Sequence, residues 1–367
     1  MSLTRILMFC FFVTSSLYVK AQQGYYVAGQ VLDAVTMQPL QGASVFAENT
    51  TLGTAADAAG NFKLYVPNGG YDLVVTYTGY ATASKRISNS ETNNGTLQFL
   101  MTAKQKELDD VVVVATNEVK DGFAVYGQFF LEQFIGNSQN SKRCFITNPE
   151  VLKFYFSKKK NRLKVIAEEP LKIENKALGY NLIYALDSFT HEYATEVSVY
   201  TGNPVFSEMG VGDSLQLAVE WLNARKAVYK GSMLHFMRSV HQQNLTEQGF
   251  ELKLMVNLNN EESVFALKDL YSGLRYTKED SSQVVDIKPN VPKLGVIYKQ
   301  AKPQRMYSAA FPKEPTGFQF STLLFAKDEF LSIEQNGYFY EQADLTTSGY
   351  WGWIKVADLL PNDFYLQ

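Results

Sequence analysis

Gly29-Gln30-Val31-Leu32-Asp33, followed by Gln38-Pro39-Leu40-Gln41-Gly42-Ala43-Ser44-Val45, decides how the first part of the chain folds. Tyr26, Ala28, Gln30 and Leu32 alternate with Val27, Gly29, Val31 and Asp33, the period of two that marks a strand. Proline fixes φ and glycine frees it within Gln38 to Gly42, so the chain turns there. Ala43 to Ala47 is a second strand. Gly53 to Asn61 is turn-rich, and Phe62 to Val66 resumes a strand that Pro67-Asn68-Gly69-Gly70 breaks. Tyr71 to Tyr77 is a long β-branched run, Gly79 interrupts as a bulge or close approach, and Leu97 to Met101 closes the set. Short strands at this spacing predict a small antiparallel sandwich over about Gly24 to Thr102.

The same residues resemble a known family. Gly29 to Asp33 and Gln38 to Val45 are similar to the "GxVxD…PLxGAxV" opening of the carboxypeptidase-regulatory-like domain. Thr50 to Thr54, Asp57, Gly60-Asn61-Phe62 and Leu64 resemble its "GTxTDxxGxFxL" middle, and Tyr77 to Tyr80 its "YxGY" end. Ala55-Ala56 depart from the alternating polar pair of that pattern. The resemblance implies a transthyretin-like β-sandwich and a non-catalytic accessory role. Asp57 reads as a turn former, because nearby acids are too sparse for a calcium cage.

Before this module, Arg5 precedes the short apolar core Ile6 to Leu17, and Val19-Lys20-Ala21 has the small-x-small form of a cleavage site. Residues 1–21 are therefore expected to be a signal peptide, with the mature chain starting at Gln22. Cys10 follows Phe9 inside the apolar core, which argues against a lipoprotein. Losing Arg5 and Lys20 takes the 34 basic residues to 32 against 37 acidic, a net −5. A mildly acidic chain without a basic block argues against a nucleic-acid partner. Cys144 is then alone and forms no internal disulfide. Asn49, Asn94 and Asn244 head glycosylation sequons that matter only in a eukaryotic secretory route. Across all 367 residues, 46% apolar and 19% charged composition excludes a disordered chain. No apolar run of ~20 residues occurs beyond the first twenty positions, so no membrane-spanning helix is expected after cleavage.

Residues 103–119 form a linker or exit strand. Glu107-Leu108-Asp109-Asp110 followed by Val111 to Val114 is similar to the segment that comes after this domain in starch-utilisation outer-membrane transporters, where it serves as an energy-coupling box. A plug and a 22-stranded barrel of ~10-residue strands do not fit between Lys120 and Gln367, so a full transporter is not expected of this sequence. Four β-branched residues left exposed would template aggregation. Val111 to Val114 is therefore expected to pair as an edge strand, most naturally in the second module.

Residues 120–367 read as an α+β module with an antiparallel sheet, which makes the chain mainly β. Phe123, Phe130 and Phe134 fit one face of a helix ending near Gly136. Val151–Phe156, Leu163–Ala167, Leu171–Ile173 and Asn181–Leu186 have strand patterns, and Glu192–Tyr200 is expected to pair back on the last of these. Phe250 to Leu258 is a half-buried strand. Asn336-Gly337 suits a type I′ hairpin turn. Tyr229, Met233, Phe236 and Val240 predict one helix over about Leu222 to Gln242, with Gly231 in its middle. A short C-terminal helix carries Trp353, Val356 and Leu360. Cys144 to Pro149, Glu168 to Leu171, Ile173 to Tyr180 and Tyr229 to Ser232 resemble a group of uncharacterised Gram-negative envelope proteins, which implies no activity.

Motifs for chemistry are missing. His191, His235 and His241 lack a Glu three residues on, so the zinc-carboxypeptidase pair is absent. Gly136-Asn137-Ser138 and Gly212-Asp213-Ser214 do not complete a serine-hydrolase elbow. Cys144 reads as a buried thiol unless a base such as His191 lies beside it. Glu168 and Glu169 face opposite sides of a strand, and Glu174 does not pair with Glu169, so a glycosidase pair is unsupported. Lys158-Lys159-Lys160 with Arg162 reads as a hairpin tip. The aromatics Phe318 and Phe320, Tyr338 to Tyr340, and Tyr350 to Trp353 read as packing, with sugar stacking the alternative. No catalytic, cofactor or metal residue is assigned. The expectation is a non-enzymatic exported protein, periplasmic or outer-membrane associated, with a protein or glycan partner. A hydrolase of unrecognised type and a transport-complex accessory are the alternatives.

Overall fold

The computed structural model describes residues 24–88, 97–103, 117–212, 214–258, 261–267, 269–278, 283–325, 330–340 and 345–366. The signal segment and Val111 to Val114 lie outside them. The protein is mainly β, a sandwich followed by α+β structure. Three clusters of buried side chains organise it.

The sandwich contains β1 (Gly24–Asp33), β2 (Ser44–Ala47), β3 (Gly53–Ala55), β4 (Asn61–Pro67), β5 (Tyr71–Thr76), β6 (Ala83–Ile87) and β7 (Leu97–Met101). One sheet has the order β4-β1-β7 and the other β3-β2-β5-β6. Along β4 the burial alternates, with Phe62, Leu64 and Val66 facing inward, as period two requires. The wholly antiparallel expectation is corrected at one place. β1 and β7 run parallel, Gly29 opposite Leu97 and Asp33 opposite Met101. Hydrogen bonds place Asp57 as the turn former: its Oδ1 accepts from the N–H groups of Ala59 and Asn61 at 2.9 and 2.8 Å. Gly79 needs its φ of +83° rather than a close approach, since a Cβ there would touch nothing within 4 Å. Asp33 Oδ2 accepts from the Tyr80 hydroxyl at 2.6 Å, so the opening and closing motifs of the domain meet. The N–H groups of Thr36 and Val35 also bond this carboxylate. The Thr36 N–H first, then the Tyr80 hydroxyl, hold it well below the usual carboxylate range.

The second core begins with α1 (Gly122–Phe134), which lies on β8 (Cys144–Ile146), β9 (Leu152–Ser157), β10 (Arg162–Ala167), β11 (Leu171–Asn175), β12 (Tyr180–Glu192) and β13 (Val197–Glu208). β12 is the spine. β13 pairs along one side, while β11 and β10 share the other. Phe130 and Phe134 are fully buried against Phe189 and Tyr184, whereas Phe123 is partly exposed and packs edge-on against Phe154. The register of β12 against β13 shifts between Leu186 and Ser188, so Asp187 sits in a bulge. Glu118 bridges Tyr155 on the edge of β9.

α2 (Leu215–Tyr229) and α3 (Met233–His241) replace the single helix expected over Leu222 to Gln242. Gly231 breaks it with φ +81°, and Ser232 starts the second helix by accepting the His235 N–H. After α3 come β14 (Phe250–Leu258), β15 (Glu261–Ala266), α4 (Leu270–Gly273), β16 (Thr277–Lys278), β17 (Val285–Ile287), β18 (Lys293–Tyr298), α5 (Arg305–Ala310), β19 (Gln319–Phe325), β20 (Leu331–Ile333), β21 (Leu345–Gly349) and α6 (Tyr350–Trp353), and the third core gathers buried side chains from α3, β14, β17, β18, β19, β20, β21 and α6. Its main sheet has the order β15-β14-β18-β19-β21, antiparallel throughout. The hairpin at Asn336-Gly337 is present, but not as a type I′ turn. Only Gly337 has a positive φ (+87°), and its N–H donates to the Glu334 carbonyl. Asn336 is buried instead, because its side chain holds other segments. The final helix stops at Trp353, and Val356–Asp358 is a 3-10 turn whose Val356 and Ala357 return to the second core.

Candidate functional site

The residues singled out for chemistry are dispersed. Cys144 on β8 faces Asn175, which faces Tyr180 on β12. His191 lies eleven residues further along that strand, about 35 Å at strand rise. The two cannot form a nucleophile–base pair. Burial pushes the Cys144 thiol up to about 12, which leaves it protonated and inert. His191 Nδ1 is 2.9 Å from Ser198 Oγ, and that hydroxyl donates to Gln133 Oε1 at 2.9 Å. The serine proton is thus directed away from the imidazole, which is not the geometry of an activated nucleophile. His235 Nδ1 accepts the Gly231 N–H at 3.1 Å, so Nε2 faces Gln248 as a donor. His241 Nε2 bonds the Gln283 carbonyl at 2.8 Å. Each histidine is buried, and desolvation lowers its pKa. Among the described residues, no group of three or more His, Cys, Asp or Glu could hold a metal ion.

Glu168 and Glu169 are exposed, and Glu168 lies 3.8 Å from Lys153. Glu174 pairs with Lys176 at 3.0 Å. Lys158 to Lys160 form the exposed turn between β9 and β10. The aromatic runs are largely packed inward. Trp351 Nε1 donates to the Gly231 carbonyl at 2.7 Å, and Tyr338 and Tyr340 sit against the Arg86 guanidinium at 4.2 and 3.5 Å.

The built site lies where the three cores meet. The turn between β2 and β3 docks on β13: the Asn49 N–H donates to the Pro204 carbonyl at 3.0 Å and the Phe206 N–H to the Thr50 carbonyl at 2.9 Å. The segment after the 3-10 turn crosses the same turn. Asp363 Oδ1 accepts the Thr51 N–H at 3.0 Å, Oδ2 accepts the Thr51 hydroxyl, and the Asn362 N–H donates to the Asn49 carbonyl. A third contact comes from the 331–340 hairpin. Asn336 Nδ2 donates to the Gly70 carbonyl at 3.1 Å, and the Tyr338 hydroxyl donates to Asp72.

Two buried arginines hold this junction. Arg225 on α2 donates from Nε to the Leu178 carbonyl at 2.7 Å, from Nη2 to the Gly179 carbonyl at 3.0 Å, and from Nη1 to Glu208 at 3.0 Å. Its guanidinium lies 3.8 Å over the Tyr180 ring. The β11–β12 turn must expose those carbonyls, and Gly179 permits it. Its φ is +71°, and a Cβ there would come within 2.2 Å of Trp221. Arg238 on α3 donates to the carbonyls of Asn336 (2.9 Å), Phe364 (2.7 Å) and Asn362 (2.8 Å), and covers the Tyr365 ring at 4.0 Å.

Between these anchors opens a cleft of about 200 Å³. Thr51 and Asp363 line one part, Tyr180, Glu208 and Arg225 another, and Leu222, Pro361, Phe364 and Tyr365 the rest. Two carboxylates, one guanidinium and phenol rings therefore share a small space. No motif in the sequence points to this site. Its residues span Thr51 to Tyr365, and the one local signal is the Ile173 to Tyr180 stretch that shapes the turn under Arg225.

A second polar cluster lies beside it. Glu48, next to Asp72 and the bulged Asp187, has its pKa raised to about 7, by burial first and then by those two carboxylates. Desolvation also raises Asp187.

The sandwich matches the family model of the CarboxypepD_reg-like domain over residues 27–113. A TonB-dependent receptor of Formosa agariphila is 29% identical over 113 residues, 31% of this chain and 11% of the receptor. The chain thus spans about a tenth of that relative. Domain and relative together fit an envelope or transport-associated role. Among solved structures, a DUF3823 family protein from Bacteroides ovatus is similar at 11% identity and a TM-score of 0.17, covering 52% of this chain and 83% of that one. A protein of unknown function from Bacteroides fragilis has 11% identity and a TM-score of 0.18, covering 85% and 94%. Among the described residues, no helix is long and apolar enough to cross a membrane.

Proposed function

We propose that the chain is a non-enzymatic exported protein of a Gram-negative cell envelope, periplasmic or outer-membrane associated, that binds a protein or glycan partner. One observation supports the non-catalytic reading. The charged groups of the junction cleft are engaged in holding the protein's own segments, Arg225 on two carbonyls and Glu208, and Asp363 on Thr51. A general acid or base needs a proton it can exchange with substrate, and the hydrogen bonds that orient these groups run to the protein's own segments. Ile6 to Leu17 with the Val19-Lys20-Ala21 site supports export. The CarboxypepD_reg-like domain and the TonB-dependent receptor similarity support the envelope. The test is incubation of the purified chain with peptide and polysaccharide mixtures, with product release and binding heat measured in parallel. Binding without release is expected. Turnover that Glu208→Gln or Cys144→Ala abolishes would overturn the reading.

A second reading, an accessory of an outer-membrane transport complex, is favoured by the receptor similarity. Co-purification with a neighbouring transporter, lost on deleting residues 27–113, would support it.

A further inference from the structure

Resting on that binding role, we propose that the junction cleft takes a single neutral pyranose ring, the terminal or branch unit of a glycan. At about 200 Å³ and half open to solvent, the cleft has room for a single sugar ring. The lining chemistry suits hydroxyls. Glu208 and Asp363 supply carboxylate oxygens, each with a second lone pair beyond its internal bond. Tyr180 and Tyr365 add phenol groups that can donate and accept. A hydroxyl both donates and accepts, so a polyol can satisfy this mixed set, whereas a carboxylate or an ammonium satisfies only half of it.

The groups are also preorganised. Thr51 grips both oxygens of Asp363, while Arg225, itself 10% exposed, bonds Glu208, whose side chain is 64% exposed. Arg225 lies on Tyr180 and Arg238 on Tyr365, fixing the two rings. Entropy lost in ordering these groups during folding is not lost again on binding. Charge argues the same way. An anion would meet both Glu208 and Asp363.

The test uses the full chain with a panel of methyl pyranosides, neutral, N-acetylated and uronic, and n-butylamine as the cationic probe, in ligand-observed NMR and calorimetry. At least one neutral or N-acetylated pyranoside is expected to bind, with a dissociation constant on the order of 1 mM or tighter. Leu222→Trp fills the cleft from a half-buried position and is expected to weaken that binding by about ten-fold or more with an unchanged unfolding midpoint. Glu208→Gln serves as a second variant that keeps the shape and alters the acceptor. No pyranoside binding, binding of n-butylamine or the uronic acid alone, or sugar binding indifferent to both variants would each overturn the proposal. New reducing ends released from an oligosaccharide that binds the cleft would overturn the non-catalytic reading while leaving the sugar class standing.

Discussion

Replacing Arg238 by methionine tests whether the junction is held by a buried guanidinium. Arg238 is 3% exposed and bonds three backbone carbonyls, those of Asn336, Phe364 and Asn362. Asn336 is fully buried and Phe364 nearly so. Methionine keeps much of the volume and none of the donors. Each buried carbonyl left without a donor costs ~1–3 kcal/mol. The variant also escapes the desolvation penalty of a buried charge, which returns part of that loss. The net expectation is a destabilisation of about 3 kcal/mol, a factor of ~10² in the folding equilibrium. Urea unfolding followed by tryptophan fluorescence reads it. Limited proteolysis adds a local readout, since release of Phe364 and Asn362 exposes the segment after Pro361 to cleavage before the cores open. Arg238→Lys offers one point charge in place of a fork and is expected to recover less than half of the loss. An Arg238→Met protein within ~0.5 kcal/mol of the wild type, with the same cleavage pattern, would refute the argument.

Gly231→Ala is expected to cost about 3 kcal/mol or more, because its φ is +81° and a Cβ would lie 2.5 Å from Tyr298 and from Gln319; thermal unfolding measures it. Glu48 titrates near 7 in the folded protein against an ordinary 4.5, so the folded state holds the proton longer. Its contribution therefore falls as pH rises from about 4.5 to about 7, by an order of 3 kcal/mol, and Glu48→Gln should flatten that part of the stability profile. His235 and His241 act in the opposite sense. Their folded pKa values lie below 6.5, so stability is full above that pH and is lost as pH falls below it, a loss that His235→Gln should lessen in acid titrations. Cys144, with its thiol pushed up to about 12, should resist a thiol reagent at pH 8 until the protein is unfolded, and rapid labelling of the native chain would count against its burial.

The sandwich was legible because its signals are local. Alternation in Tyr26 to Asp33, the Asp57 turn and the Gly79 turn each need only a few neighbouring residues. The parallel partnership of β1 with β7 was not, since residues some seventy positions apart choose each other through tertiary packing. In the α+β part, strands such as Phe250–Leu258 followed from pattern. The continuous apolar face from Tyr229 to Val240 hid the break at Gly231, although Ser232 three residues before His235 carried a capping signal. Asn336-Gly337 predicted a turn and missed its type, because Asn336 is needed to reach Gly70. The cleft was illegible for a plainer reason. Thr51, Glu208, Arg225 and Asp363 are ordinary surface-type residues in sequence, and only folding brings them together.

The bond between Thr51 and Asp363 closes a span of 312 residues. Loop-closure entropy rises only logarithmically with length, so such a contact is tolerated at equilibrium, but it is among the last that a searching chain can find. During synthesis the CarboxypepD_reg-like domain emerges more than two hundred residues before Asp363. Each core can mature around its own local partners first, and the 361–366 segment then fastens them like a latch. Assembly of the cleft is thereby placed at the end of the folding sequence, so a chain able to present it has already passed every earlier step.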